Sequence, residues 1–319
     1  MPSPSRCLTA GDAFCLVRDL AVHPPTGSPR VGLELEWLTF PTADRSRRVD
    51  LTDLAPPLRA LGGALPCGSR LTVEPGGQVE ISTRALDCVG DAIDAARTDS
   101  AVVRQVLHDH GIDMVGVGID RCRPPQRVVD TARYRAMETY FDHAGPEGRA
   151  MMCNSASMQI NVDFDGAVRD AWRAANIAAA MLGERFSTPS PNRLDLWARI
   201  DRTRTAPVAG DDPAEAWAEY ALAARVMFIR RDDDDCVPML DGTTFAKWVE
   251  CGDPLGWPTE ADLTEHLTTL FPPVRPRGWL ELRTIDALDE SQWPVAAEMA
   301  VAMVLDGDTR RSLLELACR

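Results

Sequence analysis

The chain has 319 residues, 45% of them apolar, which is enough to bury a large core in one big domain or two ordinary ones. Its net charge of -14 at pH 7 rules out a chain-wide basic footprint for nucleic acid. No run of about 18 apolar residues offers a membrane span.

The chain order of elements begins with an irregular segment, 1–30, that holds one short helix from Ala10 to Val22. Proline and glycine in His23-Pro24-Pro25-Thr26-Gly27 end that helix. Val31 to Phe40 reads as a strand, with Val31, Leu33, Leu35 and Trp37 on one face and Gly32, Glu34 and Glu36 on the other. Leu71 to Ser82 reads as a strand or hairpin broken by Pro75-Gly76-Gly77. Helical spacing of Ala92, Ile93, Ala96, Val102, Val103 and Val106 predicts a helix from Val89 to Gly111, with Gly111 as its cap. A short buried strand, Met114 to Ile119, and a short helix, Arg133 to His143, follow.

Ser155 to Phe164 alternates Met158, Ile160 and Val162 with Ser157, Gln159, Asn161 and Asp163, a strand with one polar face. Helices are expected over Ala167 to Leu182, Pro213 to Arg225 and Thr259 to Leu270, with an acidic loop at Asp232 to Asp235. Trp279 to Ile285 reads as the last strand, and helices at Ala296 to Leu305 and Thr309 to Cys318 close the chain. No repeat or low-complexity linker divides it, and no Gly-rich phosphate loop opens a helix. Unequal spacing of strands and helices favours an α+β fold over a doubly wound sheet, with 1–319 as one catalytic domain.

Nine cysteines without a Cys-x-x-Cys pair predict reduced thiols rather than a disulfide framework or a zinc site. Met1 to Ala10 lacks the apolar core of a signal peptide, so a cytoplasmic protein is expected. Lys247 is the one lysine among 34 basic residues. Any anion site should therefore be built from arginine, which can grip an oxyanion with two parallel hydrogen bonds.

The chemistry-bearing pattern is carboxylates on strand faces. Glu34 and Glu36 are two residues apart and share a face. Glu74 and Glu80 are six apart with a turn between them, and Glu281 shares a face with Arg283. Each pattern alone is an ordinary solvated strand or turn. Five glutamates brought to one face would raise one another's pKa, and divalent cations would relieve that. Magnesium takes oxygen ligands and commonly keeps substrate phosphates in its shell.

The segments Gly32-Leu33-Glu34-Leu35-Glu36, Arg70-Leu71-Thr72-Val73-Glu74-Pro75-Gly76-Gly77-Gln78-Val79-Glu80 and Ser155-Ala156-Ser157-Met158-Gln159-Ile160-Asn161-Val162-Asp163 resemble glutamate–cysteine ligases of the plant and actinobacterial type. His266-Leu267-Thr268-Thr269-Leu270-Phe271-Pro272-Pro273-Val274-Arg275-Pro276-Arg277, followed by Trp279-Leu280-Glu281-Leu282-Arg283, extends the likeness, which is nearest to the ligases of the ergothioneine pathway. The resemblance implies a glutamine-synthetase-like fold: a curved, mainly antiparallel sheet with helices on its outer face. It also implies ATP and Mg2+ as cofactors. Glu36, Glu74 and Glu80 would hold one magnesium ion, and Glu34 and Glu281, with Gln159 or Asn161 nearby, another.

The implied reaction passes through γ-glutamyl phosphate, which an amine, by family default that of L-cysteine, converts to an amide. Arg275, Arg277 and Arg283 would neutralise phosphate or carboxylate charge, with Gln78 beside the nucleotide. Arg133, Tyr134, Met137, Gln159, Arg193 and Trp197 would line the amino-acid site. Against the family pattern, the stretch from Asp163 to Arg193 is short, Ala175-Asn176-Ile177-Ala178 is at best a remnant of a family element, and the chain stops soon after the helix at 296–305. Those differences leave a non-cysteine acceptor, or a non-catalytic ATP-binding relative, as alternatives.

Overall fold

The computed structural model describes residues 7–23, 27–61, 65–232 and 234–317. The expected helix breaker at Pro24 to Thr26, the first six residues of the expected irregular segment and the expected helix end at Cys318 fall outside them.

The elements in chain order are α1 (Ala10–Ala21), β1 (Val31–Pro41), α2 (Leu51–Ala60), β2 (Arg70–Val73), β3 (Val79–Ser82), α3 (Val89–Asp109) and β4 (Ile112–Val115). Then come α4 (Ala132–Ala144), α5 (Pro146–Asn154), β5 (Ser157–Asp163), α6 (Val168–Arg185), α7 (Arg193–Arg199), α8 (Arg202–Thr205) and α9 (Pro213–Ala223). The chain continues through β6 (Phe228–Arg230), β7 (Cys236–Pro238), α10 (Phe245–Cys251), α11 (Glu260–Leu267), β8 (Val274–Pro276), β9 (Trp279–Asp286), α12 (Trp293–Leu305) and α13 (Gly307–Ala317).

Seven strands form one open sheet in the order β2-β3-β1-β5-β9-β8, with β4 pairing the far end of β1. Every pair in it is antiparallel. Strand β1 lies at its centre because its alternation is strict. Val31, Leu33, Leu35 and Trp37 are buried in the main apolar cluster beside Val79, Ile81, Ile160, Val162, Leu280 and Leu282. Helices α3, α6 and α12 cover that face, through residues such as Ala96, Val103, Trp172, Ala178, Ala297 and Val304. The α+β expectation holds, and the opposite face of the sheet is left for the polar side chains.

Most boundaries fall within a residue or two of the sequence reading. Helix α3 ends as expected, with Gly111 in the left-handed region at φ 76°. Strand β4 instead covers 112–115 and stops short of Ile119. The cause is crowding: a Cβ at Gly116 would lie 2.0 Å from the Leu288 carbonyl oxygen, and one at Gly118 2.2 Å from Asp286 Oδ2. That segment passes tightly under the end of β9 and does not continue as a strand. The structure also adds elements that the sequence pattern did not show: α2, α5, α7, α8, α10, β8 and the β6–β7 hairpin, whose turn carries the expected acidic loop.

Candidate active site

Period-two geometry puts the polar side chains of six strands on one face. Glu36 pairs in register with Glu80, which pairs with Thr72 on β2. One step along, Glu34 lies between Ser82 and Gln159, and Ser82 pairs with Arg70. Asn161 pairs with Glu281, and Glu281 with Arg275. The face therefore runs from acidic on β1 and β3 to basic on β8 and β9.

Glu74 joins this face from the turn between β2 and β3. The turn is closed by the Glu74 N–H donating to the Gln78 carbonyl oxygen at 2.8 Å and by the Gly77 N–H donating to the Glu74 carbonyl oxygen at 2.9 Å. Gly76 is required there, since a Cβ would lie 2.0 Å from the Cys153 carbonyl oxygen. Arg48 donates to the Gly76 carbonyl oxygen at 3.1 Å and to Asn154 Oδ1 at 2.7 Å, so the turn is fixed from below.

The cavity over this face has a volume of about 460 Å³. Glu34, Glu36, Glu74 and Glu80 line it together with Arg133, Tyr134, Met137, Gln159, Arg193, Trp197, Arg275, Arg277 and Arg283. Helices α4, α5 and α7 supply an apolar wall of Phe141, Met151, Met152 and Ile200, joined by Phe271. Sequence periodicity did not single out that wall, because its residues look like ordinary core.

Four carboxylates in one partly enclosed space raise one another's pKa. Burial pushes Glu74 up to about 8, and Glu80, Glu36 and Glu34 add to the shift. Glu34 is raised by burial, then by Glu281 and Glu80. Glu36 and Glu80 are raised chiefly by burial. Donors hold one side of three of them. The Ser157 N–H donates to Glu36 at 2.8 Å, Asn161 Nδ2 to Glu34 at 3.0 Å, and the Thr72 hydroxyl to Glu80 at 2.8 Å.

Glu281 is different. Arg275 Nε donates to its Oε2 at 2.5 Å, Arg277 Nη1 to its Oε1 at 3.0 Å, and Arg283 Nη1 to its Oε2 at 3.3 Å. Burial opposes ionisation, but Arg275, Arg283 and Arg277 together hold the carboxyl at about 2. Glu281 was expected to hold a metal, and in this structure both its oxygens meet guanidinium groups. Asn161, also expected at the metal, has both its polar atoms engaged. Its Nδ2 is spent on Glu34, and its Oδ1 accepts from Trp279 Nε1 at 3.1 Å, so it orients Glu34.

Gln78 was expected beside the nucleotide, but its amide is fully engaged in the turn. It accepts from the Gly76 N–H and donates to the Met152 and Ser155 carbonyl oxygens, the latter at 2.7 Å. Arg193 was expected to bind substrate. It lines the cavity and is buried, donating to Asp286 at 3.1 Å and to the carbonyl oxygens of Arg283 and Ile285, with its guanidinium 5.1 Å from the Trp197 ring. Arg133 reaches the cavity while paired with Glu265 and Thr268. Gln159 bridges Arg283 and, at 3.5 Å, Glu36. Two buried donors of cavity residues, Trp197 Nε1 and Arg283 Nε, have no partner among the described residues.

Residues 30–315 match the family described as glutamate-cysteine ligase family 2 (GCS2). Glutamate–cysteine ligase EgtA of Mycolicibacterium smegmatis is 40% identical over 298 residues, covering 87% of this chain and 69% of that protein. EgtA of Mycobacterium tuberculosis is 41% identical over 299 residues, covering 87% and 68%. The chloroplastic glutamate–cysteine ligase of Arabidopsis thaliana is 28% identical, covering 77% and 51%. Against the crystal structure of glutamate–cysteine ligase from Francisella tularensis in complex with AMP, the chain has a TM-score of 0.45 and 12% identity, covering 87% of this chain and 66% of that one. This chain thus spans about two thirds of its bacterial relatives and about half of the plant one. With 286 consecutive residues inside the family match and that level of identity, the chain belongs to glutamate–cysteine ligase family 2.

Proposed function

We propose that this chain is an ATP-dependent ligase that joins the γ-carboxyl of L-glutamate to the amine of L-cysteine through γ-glutamyl phosphate, acting as a single catalytic domain over 1–319. Family membership supports the reaction class. The observation that carries the site assignment is the convergence of Glu34, Glu36, Glu74 and Glu80 on one cavity whose other side is arginine.

The donor set fits magnesium. Four carboxylates are hard oxygen donors, and in this cavity each is raised above its ordinary pKa, so a divalent cation relieves a real electrostatic cost. As the side chains stand, no group of three or more His, Cys, Asp or Glu among the described residues is arranged around one ion. Loading would draw the glutamates inward. Glu281 would join them only if its arginines turned away. Bound Mg2+ would screen the polyphosphate charge that these carboxylates would otherwise repel.

The remaining work falls to the chain's own residues. Arg275, buried, and Arg283, half-buried, beside Glu281, present fixed positive charge to the transferred phosphoryl group, and the exposed Arg277 adds to it. Burial, with the neighbouring Arg275 charge, lowers the Arg283 pKa to about 10, well above any working pH, so it stays cationic. Arg133 and the Trp197 N–H supply an anion contact and a donor for the amino acids, beside Tyr134 and Met137. The apolar wall excludes water, which competes with the amine for an acyl phosphate.

No described helix is long and apolar enough to cross a membrane. The eight described cysteines are unpaired, which suits the reducing cytoplasm we assign to it. The test is a product screen: protein, ATP, magnesium and glutamate with a panel of amino acids, read by mass spectrometry. γ-Glutamylcysteine is expected with stoichiometric ADP. Glu36→Gln and Glu80→Gln should each abolish turnover while the circular dichroism spectrum is unchanged. Full activity in both would defeat the assignment.

A further inference from the structure

Arg133 enters the catalytic cavity from the first turn of α4. Its long side chain has many rotamers, and fixing it costs conformational entropy. The same cavity is lined by Glu34, Glu36, Glu74 and Glu80. An unrestrained guanidinium there would turn toward those carboxylates, since opposite charges attract strongly in a partly enclosed space. It would then be lost to an incoming carboxylate and would crowd the side proposed for magnesium.

Glu265 holds it back from outside the cavity. Glu265 lies near the C-terminal end of α11 and does not line the cavity. Its Oε1 accepts from Arg133 Nη1, and no other carboxylate among the described residues meets Arg133. The Thr268 hydroxyl accepts from the same nitrogen at 2.9 Å while donating to the Glu265 carbonyl oxygen at 2.6 Å, so its lone pairs face the arginine. The N-terminal end of α4 disfavours a cation, and the C-terminal end of α11 favours one. The Arg133 and Glu265 side chains are 25% and 22% exposed, so this is not a freely solvated surface pair.

The second Glu265 oxygen is braced as well. Oε2 accepts from Arg230 Nε at 2.9 Å. Arg230 lies on β6 two residues after Phe228, so the two share a face of that strand. The Phe228 ring lies 5.6 Å from the Arg133 guanidinium. The β6–β7 hairpin thus steadies both members of the pair. Glu265 and Thr268 take both Nη1 hydrogens of Arg133 and one of Nη2. Nε–H and the second Nη2 hydrogen remain. They form one edge of the guanidinium, which suits a two-pronged contact with a carboxylate.

Resting on the proposed contact of Arg133 with an amino-acid substrate, we propose that Glu265 is a positioning residue: it draws Arg133 away from the glutamate face and leaves that edge for the substrate carboxylate. Arg133→Ala, Glu265→Gln and the double variant test this in steady-state kinetics with ATP, glutamate and cysteine varied in turn. Arg133→Ala should raise the KM of one amino acid about tenfold or more. Glu265→Gln keeps the shape and removes the charge, so Arg133 spends only part of its time in place. It should raise the KM of that same amino acid about fivefold or more, with kcat and the KM for ATP within about twofold of wild type. The double variant should match Arg133→Ala, because Glu265 acts through Arg133 alone. Glu265→Asp keeps the charge and should recover most of the loss. Phenylglyoxal modification of Arg133, read by peptide mass spectrometry, should be several-fold faster in Glu265→Gln than in the wild type. Losses that add in the double variant, or a fall in kcat with every KM unchanged, would make Glu265 merely structural and overturn the inference. So would an unchanged modification rate. A wild-type protein that forms no γ-glutamyl product, or an Arg133→Ala variant with every KM unchanged, would instead defeat the reading on which the inference rests, and the modification rate would still decide whether Glu265 holds Arg133.

Discussion

Glu281 should be the most consequential carboxylate for stability. Its side chain is 1% exposed, and its two oxygens meet three guanidinium groups. Glu281→Gln keeps the shape but removes the charge and turns one acceptor into a donor facing an arginine. Arg275 is then left buried with its main counter-ion gone. The interval between the ordinary carboxyl pKa of 4.5 and about 2 corresponds to roughly 3 kcal/mol. That agrees with the cost of roughly 3–5 kcal/mol for breaking a buried ion pair from one side. The sign with pH follows. The folded-state pKa lies below the unfolded value, so this stabilisation is complete above 4.5 and is lost as pH falls toward 2. Urea unfolding of both proteins from pH 7 to pH 3 measures it. The gap should stay near 3 kcal/mol down to about pH 5 and narrow below it. A gap under about 1 kcal/mol, as for an exposed pair, or one independent of pH, would refute the account.

His266 is buried, with Nε2 2.9 Å from the Ala221 carbonyl oxygen, Nδ1 without a partner among the described residues, and burial pulling its pKa down to about 3. Its contribution is full above 6.5 and lost as pH falls toward 3, so His266→Gln should flatten the acid slope of stability by up to about 1.4 kcal/mol per pH unit; an unchanged slope counts against a neutral buried imidazole. Gly76→Ala should cost more than about 2 kcal/mol by thermal melting, because the new methyl meets the Cys153 carbonyl oxygen and the Glu74 turn must move. Gln78→Leu strands the Gly76 N–H and two carbonyl oxygens. It should lose roughly 1–3 kcal/mol and weaken magnesium binding in calorimetry; intact magnesium affinity would mean the turn holds Glu74 without it.

What was legible in the sequence was what period two makes legible. Glu34, Glu36 and Glu80 sit on strands whose other faces are strongly apolar, so burial of one face dictates where the carboxylates point. Arg70 follows the same rule. It pairs with Ser82 across β2 and β3, and parity alone would have placed it beside Glu34. Gly76 and Gly77 marked the turn, but nothing local said that Cys153 lies against it, 77 residues away along the chain.

Partnership was the part that the sequence could not give. Arg193, Gln78 and Asn161 have the right chemistry and positions near the cavity, yet their polar atoms are consumed by Asp286, by the Met152 and Ser155 carbonyls, and by Glu34 and Trp279. Those partners lie from 74 to 127 residues away along the chain. A long-range hydrogen bond leaves no periodic trace, because it depends on how separate elements dock. The same holds for Glu281. Its place on β9 with Arg283 was readable, but Arg275 and Arg277 reach it only because β8 folds back antiparallel on β9. Three guanidinium groups around that one carboxylate would repel one another without it, and Glu281 thereby keeps a dense positive charge facing the acidic side of the cavity. With magnesium held on the acidic side as proposed, an anion bound between the two sides would meet cations from both, which is the arrangement phosphoryl transfer needs.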